Sequence, residues 1–154
     1  MNIYVEIEVF NREFKSRLLL ASYAALKNYQ VFLMHRSELY DLALKGNISP
    51  GIILMKDANS SDYICKKMNT LKKMGFLITA QDEESGILFD DFNHFVKRRF
   101  SNGKSFDFID YFFCWGIREP NILKKIFKKK TKFVNVGSPR IDLLNKKYYL
   151  NKNK

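Results

Sequence analysis

The sequence predicts an α/β fold on a mostly parallel sheet of about six strands, and three observations predict it. Short apolar runs of strand type recur along the chain, at residues 2–9, 31–35, 52–56, 76–80, 111–115 and 132–136. After the first, these runs are continuous rather than alternating, the pattern of strands buried on both faces. Segments with helical spacing separate them, and regular β-α alternation of this kind folds into layers around a parallel sheet.

Each element has its own signal. Residues 2–9 alternate strictly: Ile3, Val5, Ile7 and Val9 form an apolar face, while Asn2, Tyr4, Glu6 and Glu8 form a wet or site-facing one. Asn11 is placed to cap a helix running to about Asn28, with Phe14, Leu18, Ala21, Ala25 and Leu26 as its inward face. After the second strand, Ser37 is the expected cap of a helix that Gly46 stops. Pro50-Gly51 turns into the third strand, and Ser60 or Ser61 starts a helix closed by Gly75. The fourth strand runs into a loop of three consecutive acids, Asp82, Glu83 and Glu84, followed by Ser85 and Gly86. Residues 90–100 read as a helix with Phe92, Phe95, Val96 and Phe100 near one face, and 101–104 as a turn. Glu119-Pro120 opens the next helix, since proline is tolerated in a first turn. The sixth strand ends in Gly137-Ser138-Pro139-Arg140, and a last helix is expected over 141–150.

A chain of 154 residues, 46% of them hydrophobic, has material for one domain, read as residues 1–147 with a polar basic tail at 148–154. No apolar run reaches the roughly 18 residues of a membrane span, and the N-terminus lacks the basic start and long apolar stretch of a secretory signal. Cys65 and Cys114 have no metal or redox spacing and read as buried reduced thiols of a cytoplasmic protein. The net charge of +11 points to an acidic partner, but Lys, Asn, Ile, Phe and Tyr are enriched together, a bias that an AT-rich genome imposes through its codons. Its lysines do not form one helix face with interleaved aromatics, so nucleic acid is not the expected partner. Residues 124–132 read as the solvated face and end of a helix, and with the lysine-rich tail they offer peripheral contact with the inner face of a membrane.

Parallel strands deliver all strand-to-helix loops to one sheet edge, where ligands of open α/β sheets bind. That edge collects Arg12, Glu13, His35, Arg36, Lys56, Asp57, Asp82, Glu83, Glu84, Arg118, Glu119, Ser138 and Arg140. A carboxylate there suits a general base, and repulsion among adjacent acids raises at least one pKa. Metal binding is the weaker use of the three acids, because consecutive side chains rarely point one way. Gly137, Ser138 and Arg140 offer backbone N–H groups and a bidentate fork to an anion. His35 and His94 are too isolated to suggest zinc, and Trp115 reads as core rather than as a sugar-stacking ring. The dinucleotide glycine fingerprint and the P-loop are both absent.

Five features in this order resemble the surface carbohydrate (polysaccharide) biosynthesis family. They are Arg12-Glu13 with the Arg17–Ala21 run, Lys56, Asp82-Glu83-Glu84 with Gly86, Phe113-x-Trp115-Gly116, and Gly137 to Leu144 (GSPRIDLL). The last run is also similar to one in the CDP-glycerol glycerophosphotransferases. The resemblance implies a Rossmann-like three-layer domain of the GT-B N-terminal type. It also implies a glycosyltransferase using a nucleotide-sugar donor and a saccharide acceptor, without a further cofactor or metal. Glu83 and Glu84, with Asp82 beside them, become the catalytic candidates, and Arg12, Glu13, Lys56, Gly137, Ser138 and Arg140 the substrate-binding ones. Because such enzymes have two facing domains, this chain is expected to be the acceptor-side half, needing a donor-binding domain from a separate or missing chain. The alternative is a non-catalytic Rossmann-like module that binds an anionic sugar or nucleotide.

Overall fold

Strands β1 (Asn2–Ile7), β2 (Gln30–His35), β3 (Ile52–Met55), β4 (Leu77–Ala80), β5 (Tyr111–Cys114) and β6 (Lys132–Asn135) alternate with helices along the chain. The helices are α1 (Phe10–Ala25), α2 (Arg36–Leu44), α3 (Asp62–Lys73), α4 (Phe92–Phe100), α5 (Arg118–Ile126) and α6 (Pro139–Asp142), with a 3₁₀ turn at Lys104–Asp107. In the computed structural model, which describes residues 1–85 and 92–145, the six strands form one sheet ordered β2-β1-β3-β4-β5-β6. Every pairing is parallel, so the fold is the α/β, Rossmann-like, three-layer arrangement that the alternation predicts. Gly86 and the expected end of the last helix beyond 145 lie outside the described residues.

Strand alternation assigns the two faces. On one, Tyr4, Ile53, Met55, Ile78, Ala80 and Phe112 pack into a core with Leu39 of α2, Met68 and Leu71 of α3, Val96 of α4 and Leu123 of α5. Phe106, fully buried in the 3₁₀ turn, anchors its far end, with ring centroids 5.1–5.4 Å from Phe100, Phe112, Phe127 and Phe133. The other face is covered by α1, against which α6 packs. Beside α1 it presents an apolar groove of about 420 Å³, lined by Ile3, Val5, Leu54, Leu77 and Phe113 of the sheet and Leu20 of the helix.

Several local expectations need correction. β1 stops at Ile7, and its supposedly wet face is the deeper one: Tyr4 and Glu6 are buried under α2. Asn11 does not cap α1. Val9 holds the cap position with no side-chain bond, and the Glu13 carboxylate accepts from the backbone N–H groups of Glu8 and Val9 at 2.8 and 3.3 Å. The inward face of α1 is correspondingly rotated. Glu13, Ser16, Arg17 and Ala21 are buried, whereas Leu18 and Leu26 are exposed, because two buried charges rather than two aliphatics face the sheet edge. The cap of α2 is His35, whose ring Nδ1 accepts from Ser37 N, and not Ser37 itself. Ser61 caps α3 as expected.

Four glycines among the described residues sit at positive φ, and two of them make a test. Gly103 has φ +67°, and an added Cβ would lie 2.3 Å from Phe127 Cδ1, whereas Gly46 has φ +74° and open space around it. Gly46→Ala should cost about 1 kcal/mol, the left-handed conformation alone, and Gly103→Ala about 3 kcal/mol because the core ring must also move. Urea denaturation of the two variants checks the difference, and equal losses would remove the clash with Phe127 as a cause.

Candidate functional site

The strand order turns at β1, which has β2 on one side and β3, β4 and β5 on the other. The connections from β1 and β3 leave toward opposite faces there, which opens a crevice at the carboxyl ends of those strands. The acidic loop is brought beside it by backbone bonds. Gln81 N donates to Met55 O at 3.1 Å and Glu83 N to Lys56 O at 3.0 Å, so the loop extends the β3–β4 ladder by one step.

Each of the three acids then has its own cation. Asp82, fully buried, accepts two parallel hydrogen bonds from Arg99 of α4, Nε to Oδ2 at 2.6 Å and Nη2 to Oδ1 at 2.7 Å. Glu83, also buried, has Oε1 2.8 Å from Nη2 of Arg17 on α1. Glu84, at the rim, pairs with Arg12 at 3.2 Å and with Arg99 at 2.9 Å. The sequence suggests Arg12, Lys56 and Arg140 as the offsetting charges. Of these, only Arg12 pairs with an acid of the loop, and Arg140 Nη1 instead donates to the Glu83 backbone carbonyl at 3.2 Å. Lys56 neutralises Glu8, which it contacts directly, and Glu13 at 3.7 Å.

Laid end to end, these contacts form an unbroken row of alternating charge across the sheet edge. It runs Arg36, Glu8, Lys56, Glu13, Arg12, Glu84, Arg99, Asp82, from the start of α2 to α4. A second, deeper set lies beneath it. Glu6, fully buried on β1, contacts Arg36, which also pairs with Asp57 at 3.1 Å. Burial pushes the Glu6 carboxyl up to about 7 despite the neighbouring Arg36. Burial raises the Glu83 carboxyl too, against the pull of Arg17. Glu13 goes the other way: burial opposes its ionisation, but the N–H groups of Glu8 and Val9 and the Arg12 guanidinium outweigh it and hold its carboxyl below the ordinary range. On the far side Glu119, buried and shifted up by burial, accepts from Ser85 Oγ at 2.7 Å and Trp115 N at 2.8 Å.

The remaining predicted residues line the same edge. Gly137 O accepts from Gln81 Nε2 at 2.8 Å, which ties the Gly-Ser-Pro-Arg turn to the end of β4. Ser138 is buried and Arg140 half-buried, so the turn is packed against the end of β4 rather than held as an open cradle. Trp115 is half-buried, and His35 and His94 are exposed. Among the described residues no cluster of His, Cys, Asp and Glu is arranged to hold a metal ion, and no helix is long and apolar enough to cross a membrane. The family models and the curated proteins compared with this chain give no match.

Arg17, Arg99 and Glu6 are the site members that sequence reading passed over as partners. The signal for Arg17 was present: Glu13, Arg17 and Ala21 are spaced at i, i+4 and i+8, one stripe of α1. Three adjacent acids likewise call for a fork donor, and Arg98-Arg99 lies in the next helix.

Two measurements follow from this geometry. The Glu6 carboxyl titrates at about 7 when folded, against an ordinary 4.5. With the folded value above the unfolded one, its stabilising share is complete below the unfolded pKa and is lost as pH rises through the folded one. Raising pH from about 5 to about 8 should therefore remove about 3 kcal/mol from the wild type that Glu6→Gln keeps. Parallel stability profiles for the two proteins would show that Glu6 does not titrate this way. Arg99→Ala should cost about 2 kcal/mol by leaving Asp82 buried without its fork, and adding Asp82→Ala should recover part of that loss. Strict additivity in this cycle would mean the two side chains are not coupled.

Proposed function

We propose that the chain is the N-terminal, acceptor-side half of a GT-B-type glycosyltransferase working in surface polysaccharide or lipopolysaccharide biosynthesis. A second, donor-binding domain on a separate or missing chain would complete it. The observation that carries the reading is Glu83. It is a buried carboxylate at the carboxyl edge of a parallel sheet, shifted up by desolvation, and its Oε2 has no hydrogen-bond partner among the described residues. A raised carboxyl in such a position suits a general base.

In the reaction, the acceptor hydroxyl oxygen bonds to the anomeric carbon of a nucleotide sugar. The bond from that carbon to the diphosphate breaks, its electron pair leaves on the phosphate oxygen, and the hydroxyl proton passes to the Glu83 carboxylate. Glu84 and Glu8, the rim carboxylates, accept hydrogen bonds from other acceptor hydroxyls. Asp82 is spent on Arg99 and serves as an anchor of the loop. Arg12, Glu13 and Lys56 form the opposing lip, and Gly137, Ser138 and Arg140 the side wall.

The row of paired charges also favours a hydroxyl-bearing acceptor over a phosphate on this half. Arg12 and Lys56 already face Glu13, Glu84 and Glu8, so an anion would have to displace a carboxylate to reach either of them. Binding of the donor diphosphate then falls to the second domain. Peripheral contact with the inner face of the membrane, through the exposed lysines at 124, 125, 128 and 130, would bring the site to a lipid-linked acceptor.

The test mixes the chain with the product of the gene directly downstream, nucleotide sugars and saccharide acceptors, and measures transfer. Glu83→Gln should lose activity by about 10²–10⁴-fold and Glu84→Gln by less than about tenfold. Full activity in Glu83→Gln would remove it as the base. Sugar or nucleotide binding with no turnover beside the partner would leave the non-catalytic module as the reading.

A further inference from the structure

Arg17 is the one fully buried cation of the edge: its side chain has no exposed surface, and it is the largest fully buried side chain of the core. A buried guanidinium normally spends its N–H groups on hydrogen bonds, because leaving them unpaired in a dry site is costly. Here Nε, Nη1 and Nη2 have no hydrogen-bond partner among the described residues. The 2.8 Å approach of Nη2 to Glu83 Oε1 is thus a charge contact without hydrogen-bond alignment. Glu83 Oε2 is uncommitted in the same way.

The surroundings explain why the arginine stays. Glu83 is faced by Arg17 and Glu13 from α1, by Arg140 from α6 and by Asp82 from its own loop. Arg17 in turn is faced by Glu83, Glu6 of β1, Glu13 and Asp57 of the β3–α3 connection. Asp82 is held by Arg99, Glu13 by Arg12, and both Glu6 and Asp57 by Arg36. Arg140 reaches the backbone of Glu83 and not its carboxylate. Arg17 is therefore the only described cation in contact with the Glu83 carboxylate, and Glu83 is the only carboxylate paired with Arg17.

We propose that Arg17 is a positioning residue: by charge alone it keeps the buried Glu83 carboxylate ionised and holds it through Oε1. This rests on reading Glu83 as the general base. A fully aligned fork, of the kind Arg99 makes on Asp82, would occupy both oxygens. No cation at all would leave a desolvated carboxyl neutral at working pH. The single off-axis contact lies between these limits.

The experiment titrates the Glu83 side-chain carboxyl carbon by ¹³C NMR in the full chain, with Glu83→Gln used to assign the signal. Arg17→Gln should raise the Glu83 midpoint by about one pH unit or more, and Arg17→Lys should restore most of the difference. An unmoved midpoint in a folded Arg17→Gln protein overturns the proposal. Should Arg17→Gln fail to fold, the wild type decides alone: the Arg17 ¹⁵Nε resonance must shift with the midpoint of Glu83, and an Arg17 signal that ignores that titration overturns it. Transfer beside the partner separates the two levels. Absence of transfer in the wild type defeats the enzymatic reading but leaves the NMR result standing. Transfer whose alkaline-going pH profile does not move in Arg17→Lys or Arg17→Gln defeats the positioning role while leaving the base in place.

Discussion

The neutralisation of the Asp82-Glu83-Glu84 loop is the constraint on which the rest of this edge depends. Three adjacent carboxylates, two of them buried, are held within one turn of chain, where their mutual repulsion works against folding. The fold answers with cations drawn from elements remote in sequence: Arg17 and Arg12 from α1, and Arg99 from α4. Those contacts fix the approach of α1 to the sheet, and they explain why α1 turns Glu13 and Arg17 inward in place of Phe14 and Leu18. They also hold the last turn of α4 to the acidic loop at the end of β4.

Arginine rather than lysine fills most of these positions for a physical reason. Burying an ion pair costs more in desolvation than an exposed pair does, and the cost is recovered only where geometry is good and several bonds are made at once. The Arg99 fork on Asp82 meets that condition, and Arg36 reaches Glu6, Glu8 and Asp57 from one guanidinium. Lys56, a point charge, sits instead where it touches the rim carboxylate of Glu8 and stands 3.7 Å from Glu13. The stability of the edge thus resides in a network, in which no single pair can be removed without exposing its neighbours' charges to a dry environment.

The fold was legible because strand identity depends on local apolar runs and sheet direction on β-α alternation, and both are one-dimensional signals. Cap chemistry was less so. Asn11 and Ser37 have the right side chains, but Glu13 accepts from the N–H groups of Glu8 and Val9 and His35 from that of Ser37, and only three-dimensional placement decides among candidates of similar propensity. The sheet edge was legible as a list of loops, and the acidic loop does lie on it. The pairings were not. Asp82 and Arg99 are 17 positions apart, and Glu83 and Arg17 are 66 apart, with nothing in the sequence to rank Arg17 over Arg12 or Arg140 as a partner. Helix phase is the sharpest case. A rotation of one position separates a face led by Phe14 and Leu18 from one led by Glu13 and Arg17, and hydrophobicity alone selects the first. The second prevails because Ala21 and Ala24 are small enough for close approach to the sheet, while Phe14 keeps a partner in Phe10, with ring centroids 4.4 Å apart.

The proton inventory of the edge follows from its charge inventory. Among the described residues the ion pairs of this edge join seven carboxylates, Glu6, Glu8, Glu13, Asp57, Asp82, Glu83 and Glu84, to five cations, Arg12, Arg17, Arg36, Lys56 and Arg99, with Arg17–Glu83 a pair apart from the rest. A partly dry site cannot hold such a surplus of negative charge at no cost, and binding protons is the direct way to reduce it. The carboxyls of this set driven upward are Glu6 and Glu83, the two that are buried and have an oxygen without a hydrogen bond. Fully ionised, these groups are two negative charges in excess, and Arg140 beside Glu83 offsets one of them. A protein that carries +11 overall therefore keeps, at the edge of its sheet, a cluster of carboxylates. The lysine excess lies elsewhere and does not define the site. What the edge presents is carboxylate oxygen set among paired cations.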